Sequence, residues 1–234
     1  MGQSLLEQGI SKARQKDYQG AIAIFSELIQ SHPYLAEAYY RRGLAKSKLG
    51  NLHDAVVDYT EALRRDRDRA EYYYARAFIR VELKNFPGAI EDLEALIKLD
   101  RQYPPAYQLK GIVEQKLANR QAAIANLKKA AELYLAQKDP ESCRDCLQRI
   151  EQLQFSAVTP PKSSSQEISA SFSVNETYAK ILEKAEKGDS ASAIKELDWA
   201  LKLDPQDGIA YCCRGIVKSK MGDFKGAIAD LNQA

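Results

Sequence analysis

One period governs this chain. Alanine stands at Ala21, Ala55, Ala89 and Ala123, each 34 residues after the last, and again at Ala193 and Ala227. Four residues before these come Asp17, Asn51, Asn85, Asn119, Asp189 and Asp223. One residue after them come Ile22, Val56, Ile90, Ile124, Ile194 and Ile228; three further on come Phe25, Tyr59, Leu93, Leu127, Leu197 and Leu231. A sequence that restates itself at such an interval builds from copies of one small unit. Each copy buries its apolar face against the next.

The positions inside the unit have physical readings. Asp or Asn at the start suits a turn and helix cap, where the side chain accepts an orphan backbone N–H. Apolar residues then recur at three- and four-residue steps, which marks one buried helical face. A fixed alanine lets a neighbouring helix come close. The first half of each unit carries Tyr39, Tyr73, Tyr107 and Tyr211 at one spaced position, followed one turn later by Gly43, Ala77, Gly111 and Gly215, with Gly9 in register. A large ring beside a small residue makes a knob and a hole on one face. Each unit is thus expected to be two antiparallel helices joined by a short turn.

These residues resemble the tetratricopeptide repeat family, whose first helix carries an aromatic, Leu-Gly and Tyr, and whose second carries Ala, an aromatic and Ala, with Pro after it. The resemblance covers residues 2–35, 36–69, 70–103 and 104–137, and resumes at 174–207 and 208–234, the last cut short. It implies an all-α fold, a right-handed superhelical solenoid of antiparallel helix pairs. Phrases such as "MGDFKGAIADLNQA" resemble bacterial, especially cyanobacterial, members. There are departures: Arg42 and Arg76 stand where the family has Leu, Lys46 and Arg80 where it has Tyr, and Arg67 and Arg101 where it has Pro.

The period fails between 137 and 174. Residues 138–155 still form a helical pattern, with Asp139 as cap, Pro140 in the first turn, and Cys143, Cys146, Leu147, Ile150 and Leu153 on one face. This is expected to be a capping helix over the fourth repeat. Residues 156–173, rich in Ser and Pro, are expected to be a linker. The rival reading is a degenerate repeat with Ile168 and Phe172 docked. The domains expected are therefore residues 2–155, a linker, and residues 174–234 with one full and one truncated repeat. The latter are too few to stack alone, and so would lean on further repeats, on the N-terminal array or on a second chain. Self-association through 174–234 is accordingly one expected partnership.

Composition and motifs exclude more than they suggest. Lys and Arg number 34 against 32 Asp and Glu, a net charge of +2, which gives little attraction to nucleic acid or anionic membrane. No apolar run is long enough to span a bilayer, and no signal peptide or myristoylation pattern opens the chain. With four cysteines, a reducing cytoplasmic location is expected. The two histidines, His32 and His53, have no catalytic neighbours in sequence. No Walker loop, glycine-rich fingerprint or zincin motif occurs. Cys143-Arg-Asp-Cys146 lacks a matching second pair for zinc, so packing on a helix is the plainer reading. "RRDRDR" at 64–69 is expected to be a solvated turn. No enzyme, cofactor or metal is expected.

What is left is surface, and here the resemblance supplies the register. In this architecture first helices line the concave side. That places Leu6, Ile10 and Arg14 from the first unit in a partner-binding groove. The second adds Tyr40, Arg41, Leu44 and Lys48; the third Tyr74, Phe78, Val81 and Glu82; and the fourth Gln108, Leu109, Ile112 and Lys116. Apolar walls with basic flanks would suit a protein or peptide segment, extended or helical, with some acidic residues. The function implied is a non-enzymatic interaction scaffold or adaptor, of the sort used by assembly factors. The alternatives are a regulatory segment of a longer enzyme or sensor, and self-assembly. A family subset grips acidic EEVD-type chaperone tails with Lys, Asn, Asn, Lys and Arg. This chain has Leu6, Ile10, Arg41, Glu71 and Ala75 there, so no such tail is expected.

Overall fold

The structure, a computed structural model, describes residues 2–155 and 168–234. Among them are thirteen α-helices and no strand. In chain order these are α1 Gly2–Arg14, α2 Tyr18–Ser31, α3 Ala36–Lys48, α4 Leu52–Arg65, α5 Ala70–Glu82, α6 Phe86–Leu99 and α7 Pro104–Lys116. There follow α8 Arg120–Ala136, α9 Pro140–Phe155, α10 Ile168–Glu186, α11 Ser190–Leu203, α12 Gly208–Lys220 and α13 Phe224–Gln233.

The second helices start where the period places Asp or Asn. The side chains of Asp17, Asn85, Asp189 and Asp223 accept from the backbone N–H three residues on. Just before each cap, one residue turns left-handed: Lys16, Gly50, Lys84, Ala118, Gly188 and Gly222, with φ between 59° and 95°. Lys138, before the cap Asp139, has φ 61° and makes the same turn outside the period. Only glycine adopts this conformation freely, so the lysines and the alanine are held there by the closing turn.

Packing follows the small positions. All six periodic alanines are fully buried. Gly43 admits the Tyr59 ring so closely that a Cβ there would lie 2.7 Å from it. Where the ring becomes Leu93, the facing residue is Ala77, and both are fully buried.

The basic residues that depart from the family pattern have a structural role. Arg42 forks onto the buried Asp58 of the facing helix at 2.7 Å, Lys46 joins it at 2.9 Å, and Arg42 also reaches Ser26 of the preceding unit at 3.1 Å. Arg76 and Arg80 do the same to Asp92 at 2.5 and 2.9 Å, with Thr60 at 3.0 Å. Arg214 and Lys218 repeat it on Asp230 at 2.7 and 2.8 Å, with Asp198 at 2.6 Å. In residues 104–137 the same positions hold Lys110, Glu114 and Asn126. There Lys110 pairs with Glu94 at 2.8 Å and Asn126 donates to the Ala122 carbonyl.

The chain forms two compact units, Met1–Leu117 and Ala118–Ala234, and the division falls inside the 104–137 segment that lacks the fork. In the first unit α1–α2, α3–α4 and α5–α6 are hairpins stacked in chain order, with α7 against α6 and α5. In the second, α8 pairs with α9, and α10–α11 and α12–α13 form further hairpins. There α12–α13 lies between the other two hairpins: α12 packs on α10 and α11 and also on α9, and α13 on α8 and α9. Lys128 donates to the Leu231 carbonyl, Arg144 covers the Phe224 ring at 5.4 Å, and Lys220 reaches Glu151 at 3.7 Å. Of the supports expected for residues 174–234, the one observed is the chain's own α8–α9.

The segment 138–155 forms α9, capped by Asp139, which accepts from the Ser142 N–H at 3.1 Å. Residues 156–167 of the expected linker lie outside the described residues, while α10 begins at Ile168, so 168–173 are helical. The docking of Ile168 and Phe172 also lies outside what is described.

Candidate functional site

In the first unit, the first helices of successive hairpins pack side by side, α1 on α3, α3 on α5 and α5 on α7. Two clefts open between them. One, of about 360 Å³, lies between α1 and α3, lined by Ile10, Ala13, Arg14, Arg41, Leu44 and Lys48, with Tyr18 and Phe25 behind. The other, of about 410 Å³, lies between α3 and α5. Its walls are Tyr40, Leu44, Tyr59, Tyr74, Phe78 and Tyr103, and its polar groups are Ser47, Lys48, Glu71 and Glu82. Leu44 and Lys48 belong to both, so the clefts are continuous across α3.

Local packing holds these side chains in place. The Tyr40 ring sits 4.7 Å from Tyr72 and 5.9 Å from Tyr59. Glu37 accepts from the Tyr72 hydroxyl at 3.0 Å and from Arg41 at 2.6 Å, which aims the guanidinium. Tyr74 and Tyr103 meet edge to face at 5.6 Å. Burial raises the phenol pKa values of Tyr40, Tyr74 and Tyr103 and pushes Tyr59 up to about 12. These rings stay protonated at neutral pH, as apolar surfaces with a hydroxyl donor. Phe78 is 46% exposed, a large ring offered to solvent in the cleft.

Of the residues expected in the groove, Ile10, Arg14, Tyr40, Arg41, Leu44, Lys48, Tyr74 and Phe78 line the clefts. Leu6 instead packs against the core of Ala21, Phe25 and Ala45, and Val81 against that of Ala77 and Leu93. Leu109 is a correction: it is buried with Leu93, Leu96 and Ala106. Its register position holds Arg41 in α3 and Ala75 in α5, and a leucine there turns inward to the core. Gln108, Ile112 and Lys116 lie on α7 outside both clefts. Glu82, expected in the groove at the periodic position of Arg14, Lys48 and Lys116, lines the α3–α5 cleft. Tyr103 carried no such signal, because the turn before α7 brings it in.

Other candidates settle into the fold. Cys143 and Cys146 are buried on α9, and burial pushes their thiols up to about 11 and about 12, which disfavours the reactive thiolate. Among the described residues no cluster of three or more His, Cys, Asp or Glu could hold a metal ion. No described helix is long and apolar enough to cross a membrane. In the 64–69 run, Arg64 and Arg65 pair with Glu61, and Arg69 with Asp66 and Glu71.

Family models described as tetratricopeptide repeat match residues 3–33, 36–69 and 70–103. No curated protein sequence matches. Among solved structures, a tetratricopeptide repeat protein from Parabacteroides merdae is similar with a TM-score of 0.59 at 17% identity, over 99% of this chain and 77% of that one. A MamA protein is similar with a TM-score of 0.57 at 22% identity, over 67% of this chain and 86% of that one. MamA from Desulfovibrio magneticus gives 0.53 at 16% identity, over 66% and 96%. At these identities the likeness speaks to fold. With the period, the helix pairs and the matched repeats together, the chain is a tetratricopeptide repeat protein, an all-α helical solenoid.

Proposed function

We propose that this protein is a non-enzymatic interaction scaffold whose first unit binds a segment of a partner protein in the two clefts along α3. The observation that carries this is the continuous strip of Ile10, Leu44 and Phe78, flanked by phenols and by charged side chains. Contiguous apolar surface rimmed by polar groups marks a partner site, and Tyr and Arg are favoured anchors there. The proposed partner is a protein segment rather than nucleic acid or an EEVD-type tail: Glu71 in the cleft opposes an acidic terminus. The location proposed is cytoplasmic.

A photo-crosslinking amino acid at position 78 tests the surface, with position 57 as control, since Val57 is 59% exposed on α4, outside the clefts. A host-lysate protein should crosslink at 78 and not at 57. Equal crosslinking, or crosslinking at 57 alone, rules the clefts out.

A second reading, self-association through residues 174–234, draws on a cleft of about 550 Å³ on α10–α11, where Trp199 is 64% exposed beside Ile181. At this register position the other units have Glu27, Glu61, Ala95, Lys129 and Gln233. Sedimentation equilibrium should show a dimer that Trp199→Glu dissociates; a monomer at tens of micromolar ends this reading.

A further inference from the structure

We propose that the groove of the first unit selects its partner segment by the order of charge along it: acidic side chains over α1–α3, an aromatic or aliphatic anchor at Phe78, and a basic side chain over α5. This rests on the proposed groove and assigns the chemistry of its occupant.

The charges are arranged by the repeat itself. Arg14, Lys48 and Glu82 are the last residues of α1, α3 and α5, one per unit at the same register position. Each lines a cleft, each is exposed, and among the described residues no ion pair engages any of them. The α1–α3 cleft carries Arg14 and Lys48, with Arg41 paired to Glu37 at 2.6 Å beside them, and is lined by no carboxylate. The α3–α5 cleft carries Glu71 and Glu82, and its one cation, Lys48, is shared with the first cleft. Glu71 is half satisfied by Arg69 at 3.3 Å, which leaves Glu82 as the free carboxylate.

The field along the strip of Ile10, Leu44 and Phe78 therefore changes sign at α3. A uniformly acidic segment would place a carboxylate against Glu82, and a uniformly basic one would place a cation against Arg14 and Lys48. Like charges brought together across an interface suppress the wrong partner more than matched ones strengthen the right one. A segment with acid and base on opposite sides of its anchor meets complementary charge at both ends.

Display selection of random peptides on the full-length protein, at low and moderate salt, tests this. Enriched peptides should carry an aromatic or aliphatic residue with Asp or Glu on one side and Lys or Arg on the other, in either chain direction. Glu82→Lys should weaken a wild-type-selected peptide about tenfold and select acidic residues on both sides instead. Arg14→Glu with Lys48→Glu should remove the acidic preference. Phe78→Asp should abolish binding of every selected peptide. Wild-type peptides acidic or basic on both sides, or an unchanged consensus with Glu82→Lys while Phe78→Asp still abolishes binding, overturn the charge order and leave the groove standing. Binding that survives Phe78→Asp, or no enrichment at all, overturns the groove and this inference together.

Discussion

The two units are made of the same parts assembled in different orders. In Met1–Leu117 each hairpin stacks on the one before it in the chain. In Ala118–Ala234 the last hairpin, α12–α13, is placed between α8–α9 and α10–α11. Yet the fork of Arg214 and Lys218 on Asp230 matches those on Asp58 and Asp92, and Arg214 reaches Asp198 of α11 as Arg42 reaches Ser26 of α2. The difference teaches that stacking is decided by the side chains on each hairpin's faces, and chain order follows only where the connection is short. A helix pair that presents the right face accepts a neighbour from elsewhere in the sequence, as α12–α13 accepts α8–α9.

The fork offers the strongest test of that equivalence. Asp92 and Asp230 are 2% and 4% exposed, and removing either strands two cations against the facing helix. Asp92→Ala and Asp230→Ala should each lose about 3–5 kcal/mol in urea denaturation, the first followed by helical circular dichroism and the second also by the fluorescence of the sole tryptophan, Trp199. Comparable losses support one device used twice; a loss under about 1 kcal/mol at Asp230 would break the comparison.

Ring and hole come next. Gly43→Ala should lose about 1–3 kcal/mol by crowding Tyr59, while Gly43→Ala with Tyr59→Leu, the Ala77–Leu93 pairing seen in the next unit, should lose less than the two changes summed. A double-mutant cycle with no coupling would show that the two positions are not matched for size.

Smaller still is the strain at the turn. Lys84→Gly in the first unit and Lys138→Gly in the second should each gain about 0.5–1 kcal/mol, as left-handed strain is relieved against a smaller loss of chain entropy. If Lys138→Gly destabilises instead, the α8–α9 turn is not the turn of the other hairpins.

The least effect belongs to the caps. Hydrogen bonds from Ser142 hold the Asp139 carboxyl below its ordinary pKa, and Lys12 and then Gly20 do so for Asp17. A lowered folded value means stability that is present above the ordinary pKa and fades as pH falls through the lowered one. Asp139→Asn and Asp17→Asn should each flatten part of the acid limb of a stability–pH profile, by a similar amount in both units. A limb unchanged in either variant would show that its cap does not contribute there.

Much of this was legible in sequence. The periodic alanines, the Asp and Asn caps and the ring-and-small-residue pairing follow from local spacing, because a helix fixes which residues share a face. The arginine departures were visible too, but their meaning was not. Arg42 meets Asp58 at a separation of 16 residues, across a hairpin, and only the folded pair shows that the cation is anchored there. For the groove, register gave Ile10, Leu44 and Phe78, yet could not separate Leu109, which turns into the core, from Arg41 at the same position.

The sequence by itself determined the unit, its helices and the faces each must bury, since those depend on residues three, four and a few more apart. The tertiary structure alone decided which face meets which. It placed α12–α13 between two hairpins that both precede it in the chain, divided the molecule within the 104–137 segment, and set the last residues of α1, α3 and α5 along two adjoining clefts. Those outcomes depend on contacts between residues distant in the chain, where many pairings satisfy the same local pattern and packing selects one.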